Sequence, residues 1–445
     1  METYLIVGAG RSGIDAAKLL RQLGENFVLY DGKTDLDTSA VCERIGCECR
    51  FLLGELHDGD LDGIDICVTS PGVPLFSDVL TAVAAKGIPI WSEIELAYRH
   101  DKGTLVAITG TNGKTTTTAL TYAIFKAWNA HTLLVGNIEI PYTGLALEST
   151  DGGWTVAEIS SFQLETMRTV KPKVSAILNI TPDHLDRHGS MDGYIKVKES
   201  ITQNQDNSDF CVLNYEDDVL RDFGGKAPCR VVFFSSARVL ENGWYYRDGA
   251  IWLSEDGSVT KLLDTDDVNL VGLHNFENIM AAAAMAHCAG VPLDIIRDAA
   301  KRFVAVEHRI EFVRETGGVK YYNDSKGTNT DAAIKAIDAM PGKTVLIGGG
   351  YDKHADFTDW VRRFPGKVKK LILLGQTAQQ IAQTCDIIGF SDYVFASSLE
   401  EAVSLAHAAA KEGDCVLLSP ACASWGMFKN YQQRGEMFKD FVNRL

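Results

Sequence analysis

The chain has 445 residues, 46% of them hydrophobic and 23% charged, with 40 Gly, 11 Pro and 10 Cys. Those proportions exclude collagen-like, coiled-coil, disordered and disulfide-scaffold classes, and the length predicts about three domains of roughly 100 to 200 residues. The formal net charge of -16 argues against nucleic acid or an anionic membrane as partner, because summed repulsion opposes polyanions, but a local loop can still take a small anion.

Short runs rich in Val, Ile and Leu recur at 4–7, 27–30, 66–69, 105–109, 132–135, 174–180, 344–347, 371–374 and 416–418. Segments of helical length and period lie between them, such as 15–23, 116–127 and 276–289. Apolar strands alternating with helices predict an α/β protein whose mostly parallel sheets are covered on both faces. Three domains are expected: a Rossmann-like one over 1–98, a central P-loop domain over 99–305, and a second Rossmann-like one over 306–445. Within the middle domain, 209–267 breaks into short strands with turns at Asn242-Gly243 and Asp248-Gly249, predicting a small β-rich patch.

In the first domain Gly8-Ala9-Gly10-Arg11-Ser12-Gly13 follows a strand and opens a helix, and Asp31 ends the next strand. Glycines permit the tight turn, and the helix N-terminus offers amides to a diphosphate. The motif alone leaves three readings open: NAD or FAD, another nucleotide diphosphate, or a turn that only packs helix on strand. A second loop, Thr69-Ser70-Pro71-Gly72-Val73-Pro74, ends a strand of the same unit, where open α/β sheets hold ligands. Cys42, Cys47 and Cys49 have no downstream Cys/His pair at zinc spacing, so free, partly buried thiols are expected, as for Cys415 and Cys422.

The strand Leu105-Val106-Ala107-Ile108-Thr109 runs straight into Gly110-Thr111-Asn112-Gly113-Lys114-Thr115-Thr116. Glycines let backbone amides turn toward phosphate oxygens, Lys114 brings a point charge, and the Thr115 hydroxyl suits Mg²⁺. Ile108 stands where the usual pattern has its first Gly, so this is a variant P-loop. Downstream, Glu158 closes one apolar run and Asn179-Ile180-Thr181-Pro182-Asp183-His184 follows another. Alone, Glu158 reads as an exposed acid and His184 as a surface histidine; after strands in a phosphate-binding domain, both become candidates for a hard metal and a reacting phosphate. No apolar stretch reaches the ~18–20 residues of a membrane span and the first residues have no signal-peptide layout, so a cytoplasmic location is expected.

Further marks continue in order: Gly136-Asn137, Glu158-Ile159-Ser160-Ser161, Gly272-Leu273-His274-Asn275-Phe276-Glu277-Asn278, His308-Arg309, Asn323-Asp324-Ser325-Lys326-Gly327-Thr328-Asn329 and Gly348-Gly349-Gly350-Tyr351-Asp352-Lys353. With the loop at 109–116, they make the chain resemble the Mur ligase superfamily of ATP-dependent amide-forming ligases. The first domain and the stretches Leu418-Ser419-Pro420-Ala421-Cys422-Ala423-Ser424, Phe428-Lys429-Asn430-Tyr431 and Gln433-Arg434-Gly435 look most like its D-glutamate-adding branch. The Asp-Asn-Pro-Arg motif typical of the diaminopimelate- or lysine-adding branch is absent. Glu139 and Ala305 stand where the family more often has Gly.

The resemblance implies a reaction in peptidoglycan precursor synthesis: ATP-driven addition of D-glutamate to UDP-N-acetylmuramoyl-L-alanine through an acyl phosphate and a tetrahedral intermediate. It implies that Gly110, Thr111, Asn112, Gly113, Lys114, Thr115 and Thr116 hold ATP phosphates. Two Mg²⁺ ions are implied, with Thr115, Glu158 and His184 as ligands, joined by Lys198 carrying CO₂ as a carbamate. Asn275 and Asn278 would meet adenine, Arg309 a phosphate and Asp324 the ribose. Gly10, Arg11, Ser12, Asp31, Lys33, Ser70, Pro71, Gly72 and Asn137 would bind the UDP substrate, displacing the NAD reading. Lys326, Thr328, Lys353, Ser424 and Tyr431 would bind D-glutamate. The residues alone keep plainer readings: Lys198 a solvated helix lysine, Asn275 and Asn278 cap or helix-surface residues, Lys353 a surface lysine. A monomer acting on small molecules is expected. The rivals from other classes are an NAD-dependent oxidoreductase, which leaves 109–116 unexplained, and a nucleotide-dependent switch.

Overall fold

The structure, a computed structural model, describes residues 2–138, 140–304, 306–351 and 355–445. The apolar runs pair into three sheets. In the first, the strands lie in the order Arg50–Leu53, Asn26–Asp31, Thr3–Val7, Ile66–Thr69, Ile90–Ser92, all parallel. Side chains alternate between two buried faces: Tyr4, Ile6, Leu29, Ile66 and Val68 join one core, and Leu5, Val7, Val28 and Cys67 the other. That period of two, apolar on both sides, is why these strands read as unbroken hydrophobic runs. The strand order reverses between Thr3–Val7 and Ile66–Thr69, a switch point whose carboxyl edge carries the glycine turn and the 69–74 loop.

The second sheet has nine strands in the order Ser258–Asp264, Ala250–Glu255, Gly243–Arg247, Arg230–Ser235, Phe210–Asn214, Val174–Ile177, Thr104–Thr109, Trp154–Glu158, Thr132–Gly136. Only the pairs among the first three are antiparallel. The expected β-rich patch is thus the continuation of the central sheet, added edge on edge. Its hairpin turns at Asp248-Gly249, where both residues have positive φ (52° and 73°), the backbone a tight primed turn requires. Asn242-Gly243 is not a hairpin turn, contrary to expectation. Gly243 opens a strand that pairs parallel to Arg230–Ser235, and a Cβ there would stand 2.4 Å from the Phe233 carbonyl. Close approach of two backbones, not a reversal, selects that glycine.

The third sheet runs Glu311–Thr316, Val319–Asn323, Cys415–Leu418, Thr344–Gly348, Val368–Leu373, Tyr393–Phe395, with only the first pair antiparallel. Its strands alternate in the same way, Leu346, Leu371, Leu373 and Leu417 facing one core and Val345, Ile347, Ile372, Val416 and Leu418 the other. The chain divides into two compact units, Met1–Asp264 with Glu277–Ala300, and Thr265–Phe276 with Lys301–Leu445. The first unit holds two of the sheets and the second the third. All ten cysteines are free thiols, and no described helix is long and apolar enough to cross a membrane.

The glycine turn carries a sharp steric constraint. A Cβ on Gly13 would sit 1.8 Å from the Gly8 carbonyl oxygen, so the helix Arg11–Leu23 packs on its strand only without a side chain there. Gly13→Ala is expected to cost about 1–3 kcal/mol through forced displacement, read as a lower urea midpoint; an unchanged midpoint would show that the helix shifts freely.

Candidate active site

Asp31 accepts the Ala9 amide at 2.9 Å and the Lys33 amide at 3.0 Å, so its carboxylate fixes the glycine turn from the neighbouring strand. Arg11 and Lys33 are exposed beside it and Gly10 and Ser12 flank the turn. Across the switch point, Ser70 bonds through its amide to the Val7 carbonyl. Its Oγ is buried with no partner among the described residues, and it stands so close to Gly8 that a Cβ there would lie 2.8 Å away. Pro71 and Gly72 continue that loop outward.

In the phosphate loop, Gly110 and Gly113 take φ of 149° and 84°, a turn that only glycine makes cheaply. Lys114 Nζ donates to the carbonyls of Gly110 (2.9 Å) and Thr111 (2.8 Å). Next door the segment after Val174–Ile177 braces the loop. Asn179 Oδ1 accepts the Asn112 amide and Asn179 Nδ2 donates to the Asn112 carbonyl, while Thr111 Oγ1 meets the Thr181 amide, the Thr181 carbonyl and the Tyr194 hydroxyl. Thr115 and Thr116 are buried at the start of the helix Lys114–Trp128. Asn278 sits under the same loop: its Oδ1 accepts from Thr117 Oγ1 at 3.1 Å and lies 2.4 Å from where a Gly113 Cβ would be.

Lys198 is no solvated helix lysine. On the inner face of the helix Met191–Glu199 it is 1% exposed, and its Nζ donates to Gly110 O (2.8 Å) and Thr109 Oγ1 (3.2 Å). Burial, then the nearby Lys114 ammonium, hold its pKa well below the ordinary lysine value, against the opposing pull of Asp183 and Glu158. Glu158 is also interior, 2% exposed. Its Oε1 accepts from Asn137 Nδ2 at 2.8 Å, and its Oε2 is buried with no partner among the described residues. An interior carboxylate oxygen left over beside a hydroxyl-bearing phosphate loop is a donor set for a hard cation, so Thr115 and Glu158 fit Mg²⁺. His184 has a left-handed backbone (φ 52°) and a half-exposed ring, edge-on to Phe162 at 4.8 Å between centroids. Strained φ of this kind persists only where surroundings impose it, and it clusters at functional sites.

In the second unit, Asp324 follows the strand Val319–Asn323 and is buried; its Oδ2 accepts from Ser419 Oγ (2.7 Å) and its Oδ1 from the Ile310 amide (3.3 Å). Burial pushes its pKa up to about 7, opposed by Ser419, Arg309, that amide and Arg434. Lys326 Nζ stands 5.2 Å over the Tyr431 ring, its amide bonded to the His308 carbonyl. Thr328 donates its amide to the Lys326 carbonyl, and the buried Ser424 accepts the Phe428 amide on its own carbonyl. Asn275, nearly buried, caps the Val271 carbonyl at 2.8 Å.

Three family models match in chain order: the Mur ligase MurD-like N-terminal domain over 2–92, the Mur ligase middle domain over 108–286, and the Mur ligase glutamate ligase domain over 308–422. The UDP-N-acetylmuramoylalanine--D-glutamate ligase of Lachnospira eligens is 51% identical over 445 residues, covering 100% of this chain and 99% of that one. That of Thermoanaerobacter pseudethanolicus is 47% identical over 444 residues, covering 99% and 98%. The chain belongs to the Mur ligase family. In fold, this Mur ligase is similar to the UDP-N-acetylmuramate-alanine ligase of Thermotoga maritima, with TM-score 0.63 at 17% identity over 100% and 99% of the two chains. A MurF ligase of the same organism, solved with ADP, gives 0.63 at 18% over 94% and 96%.

Of the positions expected to act in this Mur ligase, the structure gathers Lys114, Thr115, Glu158, Lys198 and Asn137 at the phosphate loop, with Asn278 beneath it. Lys353, expected at D-glutamate, lies outside the described residues, as do the departures at Glu139 and Ala305. Sequence reasoning assigned no role to Arg434, which is 2% exposed and donates to Ser325 Oγ, Ser325 O and Cys422 O. It ties the two loops that carry Lys326 and Ser424 together, and burial lowers its pKa to about 10. Nor did it assign Asn179, Thr181 and Tyr194, the loop's braces; their place within and just after a quoted motif was the signal available.

Proposed function

We propose that this chain joins D-glutamate to UDP-N-acetylmuramoyl-L-alanine at the expense of ATP, a step of peptidoglycan precursor synthesis, with the site residues named above in their expected roles. The observation that carries the reading is the meeting of Lys114, Lys198 and Glu158 at one phosphate loop. The carboxylate oxygen of the acceptor attacks the γ-phosphorus of ATP, the bond to the β-bridging oxygen breaks, and ADP leaves with the electron pair. The free amine of D-glutamate then attacks the acyl carbon; the tetrahedral intermediate collapses by breaking the bond to phosphate, and the amine's extra proton is lost.

Both steps bring anions together, so positive charge must be fixed in place beforehand. Lys114 supplies it at the loop. Thr115 and Glu158, with His184 and a modified Lys198 as further ligands, would hold Mg²⁺, which when bound would supply charge neutralisation at the phosphates. Lys198 suits carbamylation because the free amine, not the ammonium, attacks CO₂, and its burial beside Lys114 favours the free amine. Gly10, Arg11, Ser12, Lys33, Ser70, Pro71 and Gly72 present amides, hydroxyls and cations to the nucleotide diphosphate of the acceptor. Asn275, Asn278, Arg309 and Asp324 serve ATP, and Lys326, Thr328, Ser424 and Tyr431 the two carboxylates of D-glutamate. Dependence on ATP supports a cytoplasmic location.

Phosphate release measured against a panel of nucleotide-sugar acceptors and amino acids tests this reading. Turnover is expected only with UDP-N-acetylmuramoyl-L-alanine and D-glutamate together. ATP hydrolysis indifferent to both would favour a nucleotide-driven switch instead.

A further inference from the structure

Arg187 makes a set of contacts that the site residues above leave unexplained. Its side chain is 9% exposed, in the short helix Leu185–His188 directly after His184. The guanidinium faces Glu165, also 9% exposed, with Nη2 at 2.6 Å and Nε at 3.2 and 3.3 Å from the carboxylate oxygens. Its remaining donors cross to the first sheet's switch-point loop, Nη1 to Pro71 O and Nη2 to Val73 O, both at 3.1 Å. The guanidinium plane also covers Phe162 at 4.4 Å, and Phe162 in turn packs edge-on against the His184 ring. Its own amide bonds to the His184 carbonyl.

We infer that Arg187 is a positioning residue that sets the register between the acceptor-binding loop at Ser70–Val73 and the His184 turn, and so between the acceptor carboxylate and the phosphoryl group. The inference rests on the ligase reading. A planar fork with five donors is the one side chain able to hold a carboxylate, two carbonyls and an aromatic face at once. A salt bridge for stability alone would need only Glu165. The two extra acceptors are main-chain carbonyls of the loop that stands against the glycine turn, so their placement depends on where the guanidinium sits. Lysine keeps the charge opposite Glu165 but lacks the fork.

The test compares wild type, Arg187→Ala and Arg187→Lys in the full chain, using phosphate release with UDP-N-acetylmuramoyl-L-alanine and D-glutamate, and calorimetric titration of ATP alone. Arg187→Ala is expected to raise the KM for the nucleotide-sugar and lower kcat about 100-fold, the order an ångström of misplacement costs, with ATP affinity kept. Arg187→Lys should fall between. A role in folding alone would lower the melting temperature of both variants and leave kcat per folded molecule unchanged. Unchanged kinetics in either folded variant, or an equal loss of ATP affinity, overturns the inference. Wild type run alongside separates the two claims, since no product from it is a failure of the ligase reading and not of the strut.

Discussion

Lys198→Ala is expected to lower turnover by about two to three orders of magnitude, the size that losing one preorganised hydrogen-bond donor from an oxyanion site costs. Added acetate or propionate should restore part of the loss. The reason lies in where the amine sits. With 1% of its surface exposed and two uncharged acceptors, Gly110 O and Thr109 Oγ1, an ammonium at this place carries a large desolvation cost and repulsion from Lys114. Losing a proton and taking up CO₂, as proposed, would replace that cation with an anion at the loop. Truncation leaves a cavity in which a small carboxylate can take the carbamate's place. Steady-state phosphate release with and without the carboxylate reads both effects; full activity in the unrescued variant would remove Lys198 from the mechanism.

Lys114→Ala should cost as much or more, about 10³-fold in kcat/KM for ATP, because it deletes the fixed charge at the crossing point of two anions. A second consequence follows from the electrostatic link between the two lysines. Lys114 is one of the causes of the depressed Lys198 pKa, so its removal raises that pKa and disfavours the free amine that CO₂ needs. Carbamate occupancy, read by ¹³C NMR with labelled bicarbonate, should therefore drop in Lys114→Ala. The double variant should lose less than the two single losses multiplied together, as coupled groups do. Undiminished occupancy would separate the two lysines.

The phosphate loop was legible because its chemistry is local: strand, glycines, lysine and helix follow one another, and each backbone requirement names a residue type. The alternating cores were legible for the same reason, since a period of two shows in any short window. What escaped was long-range. Glu95 has its carboxylate taken by the amides of Arg168 and Thr169, partners that no window around Glu95 contains. Asp31 is named from the glycine-turn pattern, and the bond that its Oδ2 accepts from the distant Ala9 amide shows only in the fold. The strand expected over 174–180 stops at Ile177, because Asn179 turns to brace Asn112 across the loop. Glu93 shows the same limit. It is wholly interior, hydrogen-bonded to Gln163, and burial raises its pKa to about 7, although its sequence position is that of an ordinary first-turn helix acid.

The central claim is that this protein activates a carboxylate by phosphorylation at the Lys114–Lys198–Glu158 loop. The most direct measurement uses UDP-N-acetylmuramoyl-L-alanine with both carboxylate oxygens labelled as ¹⁸O, incubated with ATP, Mg²⁺, D-glutamate and the protein, followed by mass analysis of the released phosphate. Breaking an acyl phosphate at its carbon–oxygen bond predicts one ¹⁸O in each phosphate and one retained in the new amide. Unlabelled phosphate accompanying amide formation would contradict the account.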